Sequence, residues 1–175
     1  DLDLLVNVAL FAALGALIDE PWLALAAFFA LTVVLSANHN AAELYREAHG
    51  APGRLAPPGG SLPERAGEGF YRVVFAPQDR VVRAFVRRRL ERLLDASPDE
   101  ERRRRAERAY HDRTTMIVFA NLGLSTQLAV LGVCLVLDGP ETYLWLVLAS
   151  LALLLLLAWR RERLARRALS EPRAA

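Results

Sequence analysis

Lysine is missing from this chain altogether: every one of its 22 basic residues is arginine. That absence points to GC-rich coding more than to a mechanism. Cysteine is almost as scarce. Cys134 stands alone in an apolar run, so no disulfide can form within the chain. Structural zinc needs several Cys or His ligands at set spacings, and one Cys with three scattered His does not supply them. No basic n-region and no cleavage site precede the first apolar run, so that run is not read as a signal peptide. With Asp at position 1, the expectation is that the natural protein has further residues upstream. No loop carries the glycine spacing followed by Lys and Ser/Thr that cradles nucleotide phosphates.

What the chain has is apolar length. Of its 175 residues 54% are hydrophobic, and they gather into uncharged runs at 4–18, 21–42, 114–137 and 142–159. A helix of about 20 apolar residues crosses the roughly 30 Å hydrocarbon core of a bilayer. The first run is short for a span; the other three are long enough. The fold class expected is therefore all-α, a polytopic membrane helical bundle of about four transmembrane helices plus a cytosolic amphipathic helix, forming one membrane domain over 1–175.

The chain is organised around the third run, which reads YHDRTTMIVFANLGLSTQLAVLGVCLVL from Tyr110. His111, Thr114, Thr115, Asn121 and Ser125 recur near helical spacing, with Thr126 and Gln127 beside them. Polar side chains at membrane depth face protein or a water-filled cavity. The stripe is read as one wall of a polar site. The alternative is that these groups only hydrogen-bond across packed helices.

Elsewhere the pattern is simpler. Asp19-Glu20-Pro21 is a tight turn with Pro in the first turn of the next helix. That helix changes character at Asn38-His39-Asn40 and continues toward Gly50. His39 there is an interfacial residue or, given Asn on both sides, part of a site. Residues 50–69 are rich in Gly and Pro and read as a flexible cytosolic linker. Residues 78–95 read as an interfacial amphipathic helix: Val81, Val82, Phe85, Val86, Leu90, Leu93 and Leu94 share a face, with arginines largely elsewhere. Basic patches also bind nucleic acid, but with membrane spans on both sides lipid is the nearer polyanion, and no nucleic-acid partner is expected. Ser97-Pro98-Asp99-Glu100 opens a helix with Ser as cap. It is expected to run unbroken through RRRRAERAYHDR into the central span, with Arg113 where the polar stripe meets the headgroups. Asp138 to Glu141 turns the chain, and RRERLARR closes the last run behind Trp159 as an interfacial anchor.

Charge sets an expected orientation. The arginines lie between Arg46 and Arg113 or from Arg160 onward, while the two short turns carry only acids. The positive-inside rule then puts the long middle segment and the carboxyl tail in the cytosol, with the protein integral to the cytoplasmic membrane. Asp1, Asp3, the Asn38-His39-Asn40 corner and the His111 to Asn121 stripe converge near that face. Asp3 and Asn7 are i,i+4 neighbours on one helical face.

These pieces resemble the carboxyl-terminal two-thirds of a CDP-alcohol phosphatidyltransferase. The features are a helix opening Asp-x-x-x-Asn, a short acidic turn, a returning helix, a basic segment and two final spans. FYRVVFAPQDRVVRAF and NLGLSTQLAVLGVCLVLDGPE are similar to divergent members of that family. The family is marked by D-x-x-D-G-x-x-A-R and, a short spacer on, G-x-x-x-D-x-x-x-D. Only the last Asp of that signature has a match here, Asp3 first and Asp1 second. Asp138-Gly139 is a decoy, because Pro140 and Glu141 follow it.

The resemblance implies a larger six-helix domain of which this chain is a portion. It also implies transfer of a substituted phosphate from a CDP-linked donor to an alcohol acceptor with release of CMP, in phospholipid or related lipid synthesis. Mg2+ or Mn2+ would be held by Asp3 and Asp1, with Asp3 as base. Substrate-binding residues would be Asn7, Asn38, His39, Asn40, His111, Arg113, Asn121 and Ser125. Membrane lipids are the surroundings, and a homodimer stays open. This chain alone is expected to be inactive. A small transporter or channel subunit and a membrane scaffold are the readings from other classes.

Overall fold

The computed structural model describes residues 2–50, 62–95, 97 and 99–171, without the side chains of residues 2–5 and 62–76. The described residues are helical throughout: α1 (Leu2–Leu17), α2 (Pro21–Ala48), α3 (Leu62–Leu94), α4 (Glu100–Tyr110), α5 (Arg113–Ala120), α6 (Leu124–Val136) and α7 (Pro140–Ser170). Three stretches are long and apolar enough to cross a membrane: Pro21–Ala48, Glu100–Val136 and Pro140–Ser170. The first apolar helix, α1, has 16 residues, or roughly 24 Å at 1.5 Å per residue, short of the ~30 Å core.

The two acidic turns are built alike. Asp19 and Asp138 take left-handed backbone conformations, with φ of 57° and 53°. The next N–H in each turn reaches back five residues, Glu20 to the Gly15 carbonyl at 3.2 Å and Gly139 to that of Cys134 at 2.8 Å. This is a Schellman ending, which closes a helix by satisfying late carbonyls. Asp is one of the few residues other than Gly that enters the left-handed region routinely. Pro21 and Pro140 then start the following helices. Leu17, Ile18 and residues 138–142 line one cavity, so both acidic turns sit at the same end of the bundle.

From that end α2 and α7 run side by side in the same direction, and the core is layered along them. The layer nearest the turns holds Phe11 and Leu14 of α1, Ala24, Ala27 and Leu31 of α2, Leu131 of α6, and Tyr143, Leu144 and Val147 of α7. A middle layer joins Ala41, Phe119 and Leu157. The last layer joins Leu90, Ala106, Tyr110, Ala165 and Ala168. α1 crosses α2 closely enough that a Cβ on Gly15 would lie 3.0 Å from the Ala24 Cβ and 3.3 Å from the Pro21 Cα. Neither neighbour is a flexible chain end. Gly15→Leu should therefore cost about 2 kcal/mol by overpacking, read as a lower thermal midpoint in detergent. An unchanged midpoint would show that the crossing is slack.

Several expectations are corrected here. The central run is not one unbroken helix: it ends at Tyr110, restarts at Arg113, ends again at Ala120 and restarts at Leu124. The helix before it is capped by Asp99, whose carboxylate accepts from the Glu101 N–H at 3.0 Å, so Ser97 is not the cap. The amphipathic helix starts at Leu62 rather than at 78, so 62–69 of the expected linker are helical, while 51–61 lie outside the described residues. Nor does its whole apolar face lie free for a membrane surface. Leu90 is buried against α4 and α7 with Val86, Leu93 and Leu94 around it, whereas Val81 and Phe85 remain 68% and 55% exposed.

Candidate functional site

Two polar clusters and one pocket occupy the arginine-rich half of the bundle. The first cluster lies between α2 and α3. Ser36 Oγ donates to Asp79 Oδ1. Asn40 Nδ2 donates to the Ser36 carbonyl at 3.0 Å and lies 3.4 Å from Asp79 Oδ1. Ser36 and Asn40 are each only 4% exposed, so these bonds are made away from solvent. Farther along the same pair of helices Glu47 accepts from Arg83 and, at 3.1 Å, from Arg87. Asp79, Arg83 and Arg87 are spaced i, i+4, i+8, which puts all three on the face of α3 that meets α2.

The second cluster sits where α4 gives way to α5. Asp112 caps α5: its Oδ2 accepts from the Thr115 N–H at 3.2 Å, and its Oδ1 accepts from the Thr115 hydroxyl. Arg160 of α7 donates to both carboxylate oxygens, at 3.0 and 3.1 Å, and to Thr115 Oγ1. Asp112 offers the chain a capped start in place of helix continuation, which is why the expected continuous helix breaks here. Beside this cluster the Arg161 guanidinium lies over the Phe119 ring at 4.6 Å and the Tyr110 ring at 5.6 Å. Arg161 is 4% exposed and its Nε has no hydrogen-bond partner among the described residues.

The pocket, about 200 Å³, is lined by Glu47, Arg87, Glu91, Glu107 and His111 with leucines between them. His111 is buried, packs edge-on against Tyr110 at 5.1 Å, and has no partner for Nδ1 among the described residues.

Of the residues singled out from the sequence, the structure brings some inward and leaves others apart. Asn7 is buried on α1 one turn before Phe11, Asn40 joins the Asp79 cluster, and His111 lines the pocket. Asn38 approaches Gly123 at the break between α5 and α6. His39, Arg113, Asn121 and Ser125 are exposed, and Asn121 spends its amide on the Ile117 carbonyl of its own helix at 2.9 Å. Of the expected stripe, His111 and Thr115 are buried while Thr114, Asn121 and Ser125 are exposed, so it does not exist as one face. Asp1 lies outside the described residues, and Asp3 is described only as a backbone position in α1. Ser36, Asp79, Asp112, Arg160 and Arg161 are the polar residues that spacing missed. Asp79 falls within the FYRVVFAPQDRVVRAF phrase, the one signal that pointed near it.

Among the described residues no group of three or more His, Cys, Asp or Glu side chains is placed to hold a metal ion. Mg2+ and Mn2+ want several oxygen ligands; the Asp1 and Asp3 carboxylates that would contribute to such a set lie outside the described side chains, and no step is assigned through the ion. No protein-family model, curated protein or solved structure matches this chain.

Proposed function

We propose that this chain is the carboxyl-terminal membrane portion of a CDP-alcohol phosphatidyltransferase. The observation that carries the reading is a register. Phe11 of α1 packs on Phe28 of α2, with ring centroids 5.8 Å apart, and Gly15 meets Ala24. Extending that antiparallel register brings position 7 level with Thr32 and position 3 level with Ser36. The position of Asp3 thus falls at the depth of the Ser36, Asn40 and Asp79 cluster, and one turn from Asn7 on the same face of α1. In the proposed reaction the acceptor hydroxyl attacks the phosphorus that carries the donor's alcohol. CMP leaves with the bond electrons, and the hydroxyl proton passes to a carboxylate. A carboxylate at this depth, with amide and hydroxyl groups around it, suits that task.

The experiment is CMP release from CDP-linked donors by the purified full-length protein, in Mg2+ and with an alcohol acceptor. CMP should appear in step with the phosphodiester product. No CMP from any CDP-lipid or CDP-alcohol offered would put the transporter and scaffold readings ahead.

The proposal includes four spans, with α1 as part of the first, and an orientation with α3, α4 and the end of α7 in the cytosol. Val81 and Phe85 then reach the headgroup layer from α3. Segregated charge supports this: both acidic turns share one end of the bundle, and the arginines gather at the other. Single cysteines at Ser97 and Thr142, in a background with Cys134 replaced by Ser, should label from the inside and the outside respectively. Labelling of Ser97→Cys from outside alone would overturn the orientation.

A further inference from the structure

The last helix carries more arginine than its packing uses. Arg160 is held by Asp112 and Thr115, and Arg161 is buried between two rings. Glu162, the acid of this stretch, accepts from Arg89 of α3 and lies 3.9 Å from Arg166. That leaves the outer face of α7. There Trp159, Glu162, Arg163, Arg166, Arg167 and Ser170 line an open groove of about 600 Å³.

The order of residue types along this face matches the profile of a bilayer. Leu155 and Leu156 are 71% and 61% exposed, as lipid-facing side chains would be, and Trp159 follows at 57%. The Arg163 guanidinium lies over the Trp159 ring at 5.2 Å, and Arg166 and Arg167 come one turn later. Four residues of helix rise about 6 Å. The polar layer on one side of a bilayer is roughly 5–8 Å thick. With Trp159 at the edge of the hydrocarbon, Arg163 therefore lies at phosphate depth. Arg167 makes no ion pair among the described residues. A guanidinium presents a planar fork of donors that matches two phosphate oxygens.

We propose that this groove on α7 holds the headgroup of an anionic phospholipid, with Arg163 at its phosphate, Arg166 and Arg167 reaching back toward that phosphate from one turn farther out, and Trp159 against the start of its acyl chains. The site does not depend on the transferase reading, because it lies on the outer face of the helix, away from the Asp79 cluster and the His111 pocket.

The test uses the full chain with Trp22→Phe and Trp145→Phe, so that Trp159 is the sole indole. It is reconstituted in mixed vesicles in which either phosphatidylglycerol or phosphatidylcholine carries acyl chains brominated near the headgroup. Brominated phosphatidylglycerol should quench Trp159 more than brominated phosphatidylcholine at equal mole fraction. Each substitution among Arg163→Gln, Arg166→Gln and Arg167→Gln should lower that preference by about fivefold in relative affinity, and the triple variant should abolish it. All three arginines are exposed, and an unchanged far-UV circular dichroism spectrum checks that the variant is folded. Equal quenching by the two lipids in the parent protein would overturn the proposal, as would a preference that survives the triple substitution. Loss of the preference in inorganic phosphate, but not in chloride of matched ionic strength, would mark a free-anion site and overturn the lipid assignment.

Discussion

Asp3→Asn in the full-length protein should lower CMP release by about 10²–10⁴-fold, the usual worth of a positioned general base. Asn keeps the size of the side chain and its hydrogen-bonding reach. It loses the negative charge and the basicity that accepts a hydroxyl proton. The loss should fall on the rate at saturating substrate more than on substrate affinity, since proton transfer is made only in the transition state. Asp19→Asn is the control. Asp19 stands in the turn between α1 and α2 with positive φ, and Asn enters that conformation as readily as Asp does. Its rate should match the parent's. If the parent is active and Asp3→Asn equals it, Asp3 is not the base and Asp1 becomes the residue to test. A protein that releases no CMP at all refutes the transferase reading itself, so the two failures are distinguishable.

Asp112→Ala should be the most damaging single substitution to stability outside the apolar core, at about 3 kcal/mol. The cap on α5 contributes roughly 1 kcal/mol. Charge-assisted bonds from Arg160 contribute about 1.5–3 more. The lower part of that range is the better choice, because the Arg160 side chain is 38% exposed and water screens it. Removing the carboxylate also leaves the Thr115 N–H inside the bundle without its acceptor, and Thr115 is fully buried. Asp112→Asn separates the contributions. It retains an oxygen to cap α5 and gives up the charge, so it should lose only about 1–2 kcal/mol. Chemical denaturation in mixed micelles, followed by far-UV circular dichroism, ranks the two. Equal losses would show that the cap contributes nothing measurable.

How far the sequence foretold the fold depended on how local each cause was. The three long apolar helices were legible because hydrocarbon length is counted along the chain. The acidic turns were legible because Asp19 and Asp138 each stand two positions before a proline, with Glu20 or Gly139 between. The break at Asp112 was not, although its cause is local, because an acid inside RRRRAERAYHDR reads as one more helical charge. Only the Thr115 contacts show that its carboxylate turns back on its own backbone. That misreading also spoiled the polar stripe, since His111 and Asn121 share a face only on an unbroken helix. The ties from Ser36 to Asp79 and from Asp112 to Arg160 join residues 43 and 48 positions apart. No spacing rule reaches that far, and both partners look like ordinary surface residues in the sequence.

The two rings that enclose Arg161 belong to different helices, Tyr110 to α4 and Phe119 to α5. Between them the guanidinium acts as an index pin for the long final helix. Turning α7 about its own axis would slide the cation off both rings and lose both contacts. Shifting the register of α7 by one residue would carry the guanidinium about 100° round the helix axis and do the same. One side chain thus fixes rotation and depth together. The fixed azimuth is also what leaves Trp159, Arg163 and Arg167 facing outward, so an inward residue decides where the exposed ones point.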